Sequence, residues 1–112
     1  MPLQKWSEQI WVSQMSGEPA FSEDIEVLVG QYQSAETPPH VVFDLSGIEV
    51  LNSSNLSQML KVRKLATDAG RQVRIAAPTN AVWTVFLTTG LDQVFSFSQD
   101  TTTALAQLQL GA

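Results

Sequence analysis

The chain has 112 residues, enough for one domain with a core of its own. Hydrophobic residues make up 44% and charged residues 15%, a balance that excludes a disordered chain and reads as an ordinary soluble globular protein. Lys and Arg number 6 against 11 Asp and Glu, and the net charge of −5 has the wrong sign for gathering a nucleic-acid backbone.

The absence of cysteine excludes disulfides and thiolate metal sites, and the single histidine, His40, offers no imidazole cluster in their place. No metal and no cofactor is expected. The opening stretch, MPLQKWSEQIWVSQMSGE, is broken by Lys5 and Glu8 and carries no signal-like apolar run. No segment approaches the ~20 apolar residues of a membrane span. The expectation is a cytoplasmic protein with no direct membrane insertion.

In chain order, Leu3 to Trp6 reads as a short first strand. Ile10 to Met15 alternates apolar and polar residues, the pattern of a half-buried strand. SGEP makes a turn. Ser22, followed by Glu23 and Asp24, reads as the N-cap of a helix whose stripe is Ile25, Leu28, Val29 and Tyr32. Pro38 and Pro39 end that helical region in a loop that carries His40. Val41, Val42 and Phe43 form a continuous apolar run suited to a central strand covered on both faces.

Asp44 precedes Ser-Gly and is expected to fix a turn through its carboxylate rather than act as a catalytic acid. Ser53 and Ser54 then open a helix running from Leu56 to Ala69, with one of the two serines expected as its N-cap and Gly70 as the left-handed residue beyond its end. Leu56, Met59, Leu60, Val62, Leu65, Ala66 and Ala69 cover more than half of this helix, so part of that face is expected to serve a partner.

Val73 to Ala77 repeats the strand pattern. Thr79 caps a helix bearing Val82, Val85 and Phe86, and Gly90 closes it. Val94 to Phe97 is a further strand, and a last helix starts near Asp100 with Ala104, Leu105 and Leu108 inward. Trp6, Trp11 and Trp83 are expected in core or rim packing. Strand and helix alternate from Val41 onward, which predicts right-handed crossovers and a mostly parallel central sheet. An antiparallel N-terminal strand pair joins it, and about four helices pack against it. One domain, residues 1–112, accounts for the whole chain.

The region around the two serines carries the chemistry. A helix's first turn has N–H groups without intrahelical partners and the positive end of the macrodipole, so a phosphate added to a serine there meets free donors and favourable charge. No Gly-rich phosphate loop, nucleophile with base, or metal constellation supports an enzyme, and no catalytic residue is assigned.

The string VVFDLSGIEVLNSSNL, Val41 to Leu56, resembles the strand, DLSG turn and DSSGL helix start of STAS domains of the anti-sigma factor antagonist type. TTGLDQVFSF, Thr88 to Phe97, resembles that family's LTGLDRLF segment, and SGEPAFSEDIEVL is more loosely similar to its GELD turn and helix. The resemblance covers nearly the whole chain. It implies a STAS-like α/β domain that binds an anti-sigma factor or related serine kinase, which phosphorylates the first serine after the motif's Asp, and a cognate phosphatase that reverses the modification.

On this chain that serine is Ser53, with Ser54 as second choice, and the implied partner-binding residues are Asn52, Ser53, Ser54, Asn55 and Leu56. Asn52 replaces the family's Asp and Asn55 its Gly. Three readings stay open: a switched anti-sigma antagonist, a STAS accessory subunit of a lipid-transport ABC system, and a scaffold that retains the fold without the phosphoryl switch.

Overall fold

The computed structural model describes residues 3–111. Five strands form one sheet in sequential order: β1 (Leu3–Gln4), β2 (Ile10–Gln14), β3 (His40–Asp44), β4 (Val73–Ala76) and β5 (Ser96–Ser98). β1 is antiparallel to β2, and every later pair is parallel. The helices are α1 (Ala20–Ser34), α2 (Ser53–Asp68), α3 (Asn80–Thr89) and α4 (Thr101–Gln109). The expected mostly parallel α/β architecture with four helices is what the chain adopts. Among the described residues, no helix is long and apolar enough to cross a membrane.

The strand order dictates where the helices lie. Each parallel step from β2 to β5 moves to the neighbouring strand in the same direction, so right-handed crossovers put α1, α2 and α3 on one face. The main core forms between that face and these helices, joining Trp11, Val41, Phe43, Val73 and Ile75 from the strands to Phe21, Leu28, Met59, Val62 and Phe86. α4 returns beneath the sheet against β3, β4 and β5. It closes a smaller core of Ile10, Val12, Val42, Ala76, Ala104 and Leu108.

This layering corrects the reading of β2 as half-buried. Ile10, Trp11, Val12 and Ser13 are all buried, because helices cover both faces and β1 and β3 flank both sides. Ser13 is polar yet enclosed, its hydroxyl donating to the Met15 sulfur at 3.0 Å. The expected surplus on α2 is taken up largely inside: Leu60 and Leu65 pack, partly buried, against the main core. Trp83 likewise meets Phe97 edge-on at 4.9 Å between ring centroids.

Several boundaries differ from expectation, and at two of them the hydrogen bonds give the reason. Ser22 is not the cap of α1. The helix begins at Ala20 after Pro19, and the Glu18 carboxylate accepts from the Ser22 N–H (2.8 Å) and hydroxyl (2.6 Å). A carboxylate at the positive end of a helix does the cap's work with added charge complementarity. β5 starts later than Val94 because a 3₁₀ turn over Leu91–Gln93 draws the N–H groups of Val94 and Phe95 back to the Leu91 carbonyl.

His40 belongs to β3 rather than the loop before it, pairing with Ile10. Its Nδ1 accepts the Gln72 N–H at 2.9 Å, joining β3 to the start of β4. Partial burial and, secondarily, the Arg71 charge hold its pKa below the ordinary 6.5. The unfolded imidazole therefore takes up a proton first as pH falls. His40 contributes stability in full above about pH 6.5, and that contribution is lost as pH drops towards the depressed folded value. Urea midpoints measured between roughly pH 7.5 and 5.5 are expected to decline in the native chain and to flatten over that window in His40→Gln.

Candidate functional site

The connection from β3 to α2 is held so that pairs of exposed residues alternate with the buried Leu45, Ile48 and Leu51. Asp44 Oδ1 accepts the Ser46 N–H at 2.9 Å, the expected turn. At Gly47 the backbone runs so close to the end of β2 that a Cβ would lie 3.3 Å from the Met15 carbonyl oxygen, which favours glycine there. Ile48 and Leu51 are buried and anchor the loop in the core. The Thr79 hydroxyl donates to the Ile48 carbonyl at 3.0 Å while its oxygen caps the Val82 N–H at 3.3 Å, so the start of α3 braces the loop. Between the anchors, Glu49 is exposed and Val50 is 77% exposed.

The cap of α2 is Asn52, not Ser53 or Ser54 as expected. Its Oδ1 accepts the Asn55 N–H at 2.8 Å, and Asn55 Oδ1 accepts the Asn52 N–H at 3.1 Å, a reciprocal box that satisfies two otherwise orphaned donors. The run Asn-Ser-Ser-Asn offers several capping side chains, and the pair three residues apart wins because it closes both bonds at once. Ser53 and Ser54 become the first two helical residues, both exposed. Among the described residues, none accepts from their backbone N–H groups.

Asn55 is only 2% exposed. Its Nδ2 donates to Glu18 Oε2 at 3.3 Å, tying the start of α2 to the start of α1. Gln58 continues this seam, with Nε2 donating to Ser22 Oγ at 3.1 Å. Hydrogen bonds from the Ser22 hydroxyl and N–H, and then from Asn55, hold the Glu18 carboxyl below its ordinary 4.5. Alongside lies an open groove of about 330 Å³ between α1 and α2, lined by Ser22, Ile25, Glu26, Val29, Gln58 and Lys61.

Residues 13–104 match the family described as the STAS domain. The chain belongs to the STAS domain family. Solved structures share the fold at low identity. An RsbS serine-to-glutamate variant from Moorella thermoacetica is 18% identical over 97% of this chain and 96% of its own, with a TM-score of 0.77. The Thermotoga maritima protein TM1081 is 14% identical over 96% of this chain and 93% of its own, with a TM-score of 0.83. An anti-sigma-factor antagonist domain protein from Planctomyces limnophilus is 18% identical over 95% and 96%, with a TM-score of 0.77. No curated protein sequence matches the chain.

Of the five residues expected at the docking surface of this STAS domain, Asn52, Ser53 and Ser54 face solvent. Asn55 and Leu56 do not. Leu56 is 7% exposed and belongs to the main core, because it lies on the inward stripe of α2 with Met59, three positions on. Their part is to fix the helix start. Sequence reasoning missed Val50 and Glu18. Val50 stands in the stretch Ile-Glu-Val-Leu, where nothing tells which of the three apolar residues points outward, and Glu18 reaches its Asn55 partner across 37 positions.

The cap supplies a direct test. Asn52→Ala is expected to lower stability by about 1 kcal/mol, within the usual 0.5–2 range for a lost cap. Asn52→Asp, which keeps an acceptor in the same place, is expected to lose only a fraction of that. Urea denaturation of the two variants checks both.

Proposed function

We propose that this STAS domain is a non-enzymatic interaction module of the anti-sigma factor antagonist type. It binds a kinase-like regulatory partner through the exposed start of α2, and phosphorylation of Ser53 releases that partner. The observation that supports this most directly is the placement of Ser53: solvent-exposed, in the first turn of a long helix, beside N–H donors that no described residue uses.

A phosphate adds roughly −1.5 to −2 charges and three acceptor oxygens. At this position the amide Asn52 stands where a carboxylate would repel it, so the helix end receives the new charge with its dipole unopposed. The same charge, set beside the exposed Val50, penalises any partner surface that is apolar or acidic. The fold is spared while the docking face changes. The description of the Planctomyces neighbour as an anti-sigma-factor antagonist favours this reading over that of a transporter accessory subunit.

Intact-mass analysis of the protein from its native cells, with Ser53→Ala as control, tests the switch. A single phosphate present in the native chain and absent from the variant supports it, and a phosphate that persists in Ser53→Ala overturns the assignment to Ser53. Affinity capture with the unmodified chain tests the partner class. A kinase-like anti-sigma factor is the expected main bound protein, and a transporter ATPase in its place refutes the reading.

A further inference from the structure

At the far end of α2, roughly 20 Å along the helix from Ser53 at 1.5 Å per residue, lies a second hollow. It has a volume of about 140 Å³ and is lined by polar side chains, chiefly Arg63, Thr67, Arg71, Gln72 and Ser96, with no carboxylate among its lining residues. Both arginines are held by their Nε atoms, Arg63 donating to the Val94 carbonyl at 3.2 Å and Arg71 to the Pro38 carbonyl at 2.8 Å. Each keeps its two terminal nitrogens. Neither makes an ion pair with any described residue; the neighbouring Asp68 is engaged by Lys64 at 3.2 Å.

In a chain of net charge −5, two of the 6 Lys and Arg thus converge on one hollow without a counterion among the described residues. The negative end of α2 does not spoil the site. The carbonyls of Leu65, Ala66 and Thr67 accept from the N–H groups of Ala69, Arg71 and Gly70, a closure made possible by the left-handed Gly70. That turn also carries Arg71 back alongside Arg63. Guanidinium groups pinned at Nε lose little further freedom on binding, and their fork geometry suits the oxygens of a phosphate or carboxylate.

We propose that this hollow binds a small tetrahedral oxyanion of the phosphate or phosphate-monoester class, gripped by Arg63 and Arg71 with the Thr67 hydroxyl as a third donor. The site is separate from Ser53 and stands whether or not that serine is phosphorylated. His40 gives it a reporter, since its Nδ1 is bonded to the Gln72 N–H of the hollow and its proton affinity feels the Arg71 charge.

The test is titration of the native chain with inorganic phosphate at constant ionic strength, followed by proton NMR of the single histidine. A saturable shift of the His40 ring signals is expected, together with a rise in its pKa as the bound anion offsets Arg71. Arg63→Gln, which leaves the reporter and Arg71 in place, is expected to weaken the binding at least tenfold. Lys61→Gln, on the groove between α1 and α2, is expected to leave it unchanged. A shift that never saturates, or one of equal affinity in Arg63→Gln with its melting temperature intact, overturns the proposal. Should Arg63→Gln fail to fold, Arg63→Lys serves instead: retained but weaker binding supports the site, and unchanged affinity refutes it. Glycerol phosphate in a parallel titration separates the sources. Tighter binding of the ester assigns a monoester as the occupant, and tighter binding of inorganic phosphate assigns the free ion.

Discussion

Ser53→Glu is expected to weaken binding of the captured partner at least tenfold, about 1.4 kcal/mol, while leaving the urea midpoint at or slightly above that of the native chain. The two halves of this result have separate causes. Within the fold, a carboxylate in the first turn of α2 gains a few tenths to about 1 kcal/mol from the helix dipole and breaks no contact, because the Ser53 side chain is exposed and Asn52 and Asn55 hold the cap. At the interface, the same carboxylate brings charge and its hydration shell against the partner, and like-charge juxtaposition costs several kcal/mol. Ser53→Ala, which removes the hydroxyl without adding charge, is expected to bind as the native chain does. Calorimetry with the purified partner checks the pair of variants, and equal affinity for Ser53→Glu and Ser53→Ala would refute the switch.

Phe43→Ala is expected to have the largest effect on stability, a loss of about 3–5 kcal/mol. Phe43 is fully enclosed on β3, the middle strand of the sheet, with β2 and β4 on either side and the helices of the main core above it. Its neighbours on the paired strands, Ser13 and Ile75, are themselves buried and cannot close over the void. Against a typical total of 5–15 kcal/mol for a domain, such a loss brings the chain near the threshold of folding at physiological temperature. Urea denaturation gives the value directly, and a loss below about 1 kcal/mol would contradict the central placement of this ring.

The order of elements was legible because each periodicity is long enough to declare itself. Ile25, Leu28 and Tyr32 mark one face of α1, and Val41, Val42 and Phe43 leave no polar side for solvent. What escaped was set by contacts between segments distant in sequence. Ser13 looks outward-facing until β1, β3 and two layers of helix enclose it. Ser53 and Ser54 are as good capping residues as Asn52, and only the reciprocal bond to Asn55 decides between them. Asn55 reads as a surface substitution for glycine, yet the Glu18 carboxylate draws it inward. The pairing of Arg63 with Arg71 depends on the chain reversal at Gly70, which the sequence signals, and on the aim of two long side chains, which it does not.

The sheet ends in its two briefest strands, β1 with 2 residues and β5 with 3. A row of N–H and C=O groups that short gives an incoming chain little to template on, whereas the five-residue strand β3 is paired along both edges by β2 and β4. The described edges therefore give copies of this domain little on which to fuse strand to strand into fibrils.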